Sequence, residues 1–121
     1  PRLTDVQPLL ARVEQQAQRG LGMPLAMLIH PSTRNTPVTQ KFIFDFQDAL
    51  AGFRVAGLNR SDLNAREAGD QLDVDLRMQF NLEDPQGGYL SRPVSVRARF
   101  GRVDDKVALV RLTVIKPGSG S

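Results

Sequence analysis

Cysteine and tryptophan are absent from this 121-residue sequence, and histidine and tyrosine occur once each. Without thiols there is no thiol catalysis, no disulfide and no thiolate metal site. The lone His30 excludes a multi-histidine centre, and the carboxylates show no calcium-loop spacing, so no metal is expected. No apolar run approaches the ~20 residues of a spanning helix, so this segment is expected to make no membrane contact of its own. Gly20-x-Gly22 and Gly87-Gly88 are stop and turn signals. Neither is followed by the Lys-Ser or Lys-Thr of a phosphate loop, and no cofactor is expected. The missing cysteines leave the compartment open, since bacterial periplasm and cytoplasm both accommodate such a domain.

Lysine is scarce too, with Lys41, Lys106 and Lys116 the only ones among 16 basic residues. That preference for arginine points to a GC-rich bacterial coding sequence. The net charge of +3 reflects near balance with 13 acidic residues rather than a polybasic run. What is present is ordinary globular composition, 40% apolar and 24% charged, in a length that suits one domain with a real core. The chain starts at Pro1 and finishes Gly118-Ser119-Gly120-Ser121, which reads as a linker or appended tail. Residues 1–117 are therefore expected to be a single domain cut from a larger protein.

The segment from Asp70 to Leu82 is the most legible. Leu72, Val74, Leu76, Met78, Phe80 and Leu82 alternate with polar residues, the pattern of a long strand with one buried face. Ahead of it, Val6, Leu9, Leu10, Val13 and Ala17 recur at helical spacing behind a cap at Thr4 or Asp5, with Pro8 placed in the first turn. Met23 to Ile29 is short and apolar and is read as helix. His30 to Pro37 is read as a loop. Val38 to Phe53 fits two templates: Phe42, Phe44 and Phe46 alternate like a strand, while Val38, Phe42, Ile43, Phe46, Ala49, Leu50 and Phe53 form a helical stripe. Helix accounts for more of the apolar residues. Strand would give a ferredoxin-like arrangement, closer to secretion-system scaffold domains.

From Phe53 to Glu67 the apolar parity switches around Gly57 to Asn59, which predicts a bulged strand. Val94, Val96, Ala98 and Phe100 line a third strand, and Ala108, Val110, Leu112 and Val114 a fourth. Matching their faces pairs Phe100 with Ala108, Ala98 with Val110, Val96 with Leu112 and Val94 with Val114. The predicted class is α+β, with N-terminal helices packed on a curved four-stranded antiparallel meander.

This order of elements, with Phe53-Arg-Val-x-x-Leu58 and Gly101-Arg-Val-Asp-Asp-Lys-Val107, resembles the nuclear transport factor two-like superfamily, the cystatin-like cone, from Leu3 to Lys116. The resemblance implies a cone with a pocket, used in different families for isomerases and dehydratases, for small-ligand binding, or as a dimerising or assembly module. One branch contains periplasmic domains of type IV secretion assembly proteins.

Within that frame Asp45 and Asp48 have two readings, a solvated helix face or a carboxylate aimed into the cone as a general base of the kind ketosteroid isomerase uses. His30, beside Pro31, is read as a turn residue, with a catalytic role as the alternative. Arg77, Arg97, Arg99 and Arg111 share the sheet face away from the core with Asp73, Asp75 and Thr113. That face is either a solvated mixture of charges or a docking surface, for which arginine is favoured. Nucleic acid is not the expected partner, because no aromatic side chains stand among these arginines to stack on bases. No nucleophile is paired with a base and no metal set exists, so the expected function is a non-catalytic protein-interaction or assembly domain. It would bind a partner or itself through the sheet face, and a small apolar ligand in the cone. The alternative is a small-pocket isomerase, dehydratase or hydrolase using Asp45 or Asp48.

Overall fold

The computed structural model describes residues 1–116; the 118–121 tail lies outside them. Four helices precede four strands: α1 (Leu3–Ala17), α2 (Gly22–Ala26), α3 (Pro31–Arg34), α4 (Pro37–Leu50), β1 (Arg54–Ala68), β2 (Gln71–Glu83), β3 (Tyr89–Val103) and β4 (Lys106–Ile115). The strands form one antiparallel sheet in sequence order. The helices cover one face of it, and α4 packs against β4.

Helix α1 buries Val6, Leu10, Val13 and Ala17 as one stripe. Its start differs from expectation. Arg2 is the capping residue, and Asp5 sits one turn in, accepting the Arg2 N–H at 2.8 Å while its own N–H donates to the Arg2 carbonyl at 2.9 Å. Pro8 consequently falls in the second turn, where it forgoes one helical hydrogen bond. The expected loop at His30 to Pro37 also holds a helical turn. Pro31 occupies its first position, where a missing N–H costs nothing, and the His30 ring accepts the Ser32 N–H.

Val38 to Phe53 is helical through Leu50. Thr36 caps α4 by accepting the Thr39 N–H at 3.2 Å, and the left-handed Ala51 ends it. Phe42 and Phe46 are buried side by side, their rings 5.8 Å apart, whereas Phe44 points outward and is 68% exposed. A strand would have put all three on one face. Gly22 lets α2 cross α4 closely, because a Cβ there would lie 2.9 Å from the Ile43 backbone.

All six alternating apolar residues of β2 are buried, and Leu72, Val74, Leu76 and Met78 meet Phe100, Ala98, Val96 and Val94 of β3 as the alternation predicts. Two details of the bulges are corrected. In β1 the pairing shifts between Val55 and Gly57 and again between Arg60 and Asp62, while Gly57 to Asn59 pairs regularly. In β4 the shift falls opposite Arg99 and Phe100, so Phe100 meets Leu109, Ala98 meets Leu112 and Val96 meets Val114. Val110 is the extra residue, and Leu109 takes the core position expected of Ala108 and Val110. The Leu109 carbonyl accepts the His30 N–H at 2.8 Å, tying this bulge to the helices.

The core between the layers is filled by Phe42, Phe46, Phe80 and Phe100 with Leu10, Leu25, Ile29, Leu76 and Met78, all essentially inaccessible. Each such side chain contributes roughly 1.5–3 kcal/mol of transfer free energy. Room for a small molecule lies at the rim of the sheet.

Candidate functional site

The outer face of the sheet is built in cross-strand rows. One runs Arg66, Asp73, Arg99, Arg111 across β1 to β4; the next Asn64, Asp75, Arg97, Thr113; the third Asp62, Arg77, Ser95, Ile115. The four arginines singled out from the sequence do share this face, as strand parity requires. Their states differ. Arg97 grips Asp75 through two hydrogen bonds of 2.8 and 3.0 Å, and Arg99 grips Asp73 in the same way. Arg77 and Arg111 are exposed and make no ion pair among the described residues.

Asp73 is the unexpected member. Its side chain is only 5% exposed although it faces away from the core, because the long arginine stems close over it. The Arg99 guanidinium holds its carboxyl below the usual carboxylate range against the opposing effect of burial, with smaller help from the Arg97 and Arg66 charges. Arg111 lies directly opposite Arg99, so this row carries three guanidiniums for one carboxylate. Like charges placed so are unfavourable unless something anionic joins them.

A cleft of about 570 Å³ opens where α4 runs past the ends of β3 and β4, lined by Asp45, Asp48, Arg77, Val94, Ile115 and Lys116 among others. Both carboxylates singled out from the sequence reach it. Asp45 is buried, with Lys41 Nζ at 2.5 Å and Lys116 Nζ at 3.3 Å. The Lys41 hydrogen bond is the main influence lowering its pKa, outweighing desolvation, and Lys116 adds to it. A carboxylate held ionised by two ammonium groups is a counter-ion; a general base for neutral pH needs the opposite shift. The Lys41–Asp45 pair was readable as an i,i+4 spacing, but Lys116, 71 positions on, carried no signal.

His30 is apart from both regions. Its Nδ1 accepts from the Ser32 N–H at 3.1 Å and lies 2.8 Å from the Ser32 hydroxyl, which fits a capping role. Among the described residues no cluster of three or more His, Cys, Asp or Glu could hold a metal ion, and no helix is long and apolar enough to cross a membrane. Arg92, unremarked in the sequence, turns to the helix side of the sheet and donates to the Ala49 carbonyl at 2.6 Å, satisfying the last turn of α4.

No family model matches the sequence, and no curated protein matches it. Solved structures do match in shape. A calcium/calmodulin-dependent protein kinase II association domain, so named as a candidate, from Xanthomonas campestris superimposes with a TM-score of 0.63 at 13% identity, over 98% of this chain and 90% of that one. Aln2 from a Streptomyces species gives 0.59 at 15% identity, over 96% and 93%. A candidate dehydratase of the NTF2-like family from Streptomyces avermitilis gives 0.57 at 15% identity, over 92% and 95%. The chain has the fold of the NTF2-like superfamily, the nuclear transport factor two-like cone that its order of elements resembles.

Proposed function

We propose that this chain is a non-catalytic assembly domain that associates with a second copy of itself through the outer face of its sheet. The carrying observation is the state of that face: two closed Asp–Arg forks at its centre, flanked by exposed Arg77 and Arg111. Paired arginines cost little further entropy on docking because their partners already hold them. Exposed Asp62 on the β1 margin, which also carries exposed Arg66, can meet exposed Arg111 on the β4 margin of a second copy. A two-fold axis exchanges such margins, as an isologous interface requires. The association domain among the structural neighbours supports the reading by analogy of fold.

Size-exclusion chromatography with light scattering, over a range of concentrations at low and high salt, tests it. A dimer whose population depends on salt, and which Arg77→Glu dissociates, is the expected result. A monomer under every condition overturns the reading.

The cleft favours a second reading, a small-pocket isomerase, dehydratase or hydrolase, because Asp45 and Asp48 line one hollow. The lowered pKa of Asp45 weighs against it as a base. Asp48→Asn would abolish turnover of an amphipathic test substrate if this reading holds, and leave the assembly reading untouched.

A further inference from the structure

We propose that the hollow between the α3–α4 corner and the β3–β4 hairpin binds a small molecule bearing a phosphate group. It measures about 390 Å³ and is lined by Arg99, Arg102 and Arg111 together with Thr33, Thr36, Thr39 and Gln71. No carboxylate lines it among the described residues. Arg99 has Asp73 on its far side, but Arg102 and Arg111 make no ion pair among the described residues. Two arginines with no ion-pair partner among the described residues therefore line one hollow, and a phosphate monoester, which carries a charge near −2 above its second ionisation at about pH 6, would balance them. Guanidinium forks match the spacing of phosphate oxygens and bind them through paired, charge-assisted hydrogen bonds.

The remaining lining is suited to the same ligand. Thr36 Oγ1 and Thr39 Oγ1 lie 3.3 Å apart and share one hydrogen between them, which leaves a second hydroxyl proton to donate. Val38, Val103 and Val110 supply an apolar side wall, so the space holds an organic group as well as the phosphate. Val110 reaches this wall because it is the extra residue of the β4 bulge. Arg102 lies at the hairpin end of β3, opposite Val107 and five residues beyond Arg97, and takes no part in the Asp–Arg forks of the outer face. Arg99 and Arg111 belong to both surfaces, so Arg102→Gln and Arg77→Glu are the variants that tell this proposal from the assembly reading.

The test uses the whole chain in a chloride buffer free of phosphate and sulfate, titrated calorimetrically with phenyl phosphate, inorganic phosphate and citrate. Phenyl phosphate is expected to saturate the protein and to bind more tightly at pH 7.5 than at pH 5.5, following its second ionisation. Arg102→Gln and Arg111→Gln each weaken it about tenfold or more, the scale of one charge-assisted contact. Arg12→Gln, which removes the same charge from α1, changes affinity by less than about twofold on that scale. Amide resonances of Thr33, Thr36 and Val110 shift on titration, so the site is located even where a variant folds poorly. Absence of saturation at millimolar phenyl phosphate overturns the proposal, as does equal weakening by Arg12→Gln or tighter binding of citrate. Arg102→Gln leaves the oligomeric state unchanged and Arg77→Glu leaves phenyl phosphate affinity unchanged, so each proposal fails on its own variant.

Discussion

Replacing Asp73 with asparagine keeps the shape of the side chain and removes the charge that Arg99 grips from two directions. Two features set the magnitude. Asp73 is 5% exposed and Arg99 29%, so solvent screens the pair less than an ordinary surface contact worth ~0–1 kcal/mol. The pair is not sealed in the core either, where breaking one partner costs ~3–5 kcal/mol. A loss of about 2 kcal/mol follows, the scale of hydrogen bonds to charged groups. In a chain of this size that lowers the melting temperature by about 8 °C. The same change at Asp75, which is 22% exposed, costs less. Urea denaturation followed by far-ultraviolet circular dichroism is the assay, since the chain has no tryptophan. The pH dependence follows from linkage. The carboxyl of Asp73 lies below its ordinary value in the folded state, so its contribution is complete above the unfolded pKa of about 3.9 and is lost as pH falls through the folded value. The cost of Asp73→Asn should hold steady from pH 8 to pH 6 and shrink toward pH 3. A cost below about 0.5 kcal/mol at neutral pH, within the range of freely solvated pairs, would refute the account of a closed fork.

Other substitutions test other parts of the structure. Gly22→Ala forces a Cβ to within 2.9 Å of the Ile43 backbone, and should destabilise by ~1–3 kcal/mol in the same urea assay. Phe46→Ala removes a fully buried ring that stacks on Phe42 and meets Phe80 edge-on, and should cost ~3–5 kcal/mol, whereas Phe44→Ala, at an exposed position, should cost little. Asp45→Asn should lower the melting temperature at pH 7 and have little effect at pH 3, because a depressed carboxylate pKa contributes only while the group is ionised.

Where local periodicity was unopposed, it carried straight into the fold. The alternation of β2 placed six side chains in the core, and the helical stripe of α4 prevailed over the Phe42, Phe44, Phe46 alternation because it buries two of the three rings and leaves only Phe44 wet. The departures all occur where one residue changes role through a neighbour. Pro31 looks like a breaker and starts a turn, because the first position of a helix needs no N–H. Val110 looks like a core residue and becomes the bulge, since the Leu109 carbonyl is engaged by His30 from a distant segment. The arginine face was legible by parity, yet parity could not say which arginines already had partners.

The sequence by itself determined the class of fold, the two faces of each strand and the set of arginines on the outer one, because side-chain alternation and helical spacing are properties of the local backbone. Only the tertiary structure decided that Asp73 is buried on a polar face, that Lys116 joins Lys41 at Asp45, and that Arg102 and Arg111 line one hollow with the threonines of the α3–α4 corner. Those facts depend on the register of β4 and on where α4 lies along it. Register is settled by bulges and by contacts between segments far apart in the chain, and a one-residue slip turns every side chain to the opposite face.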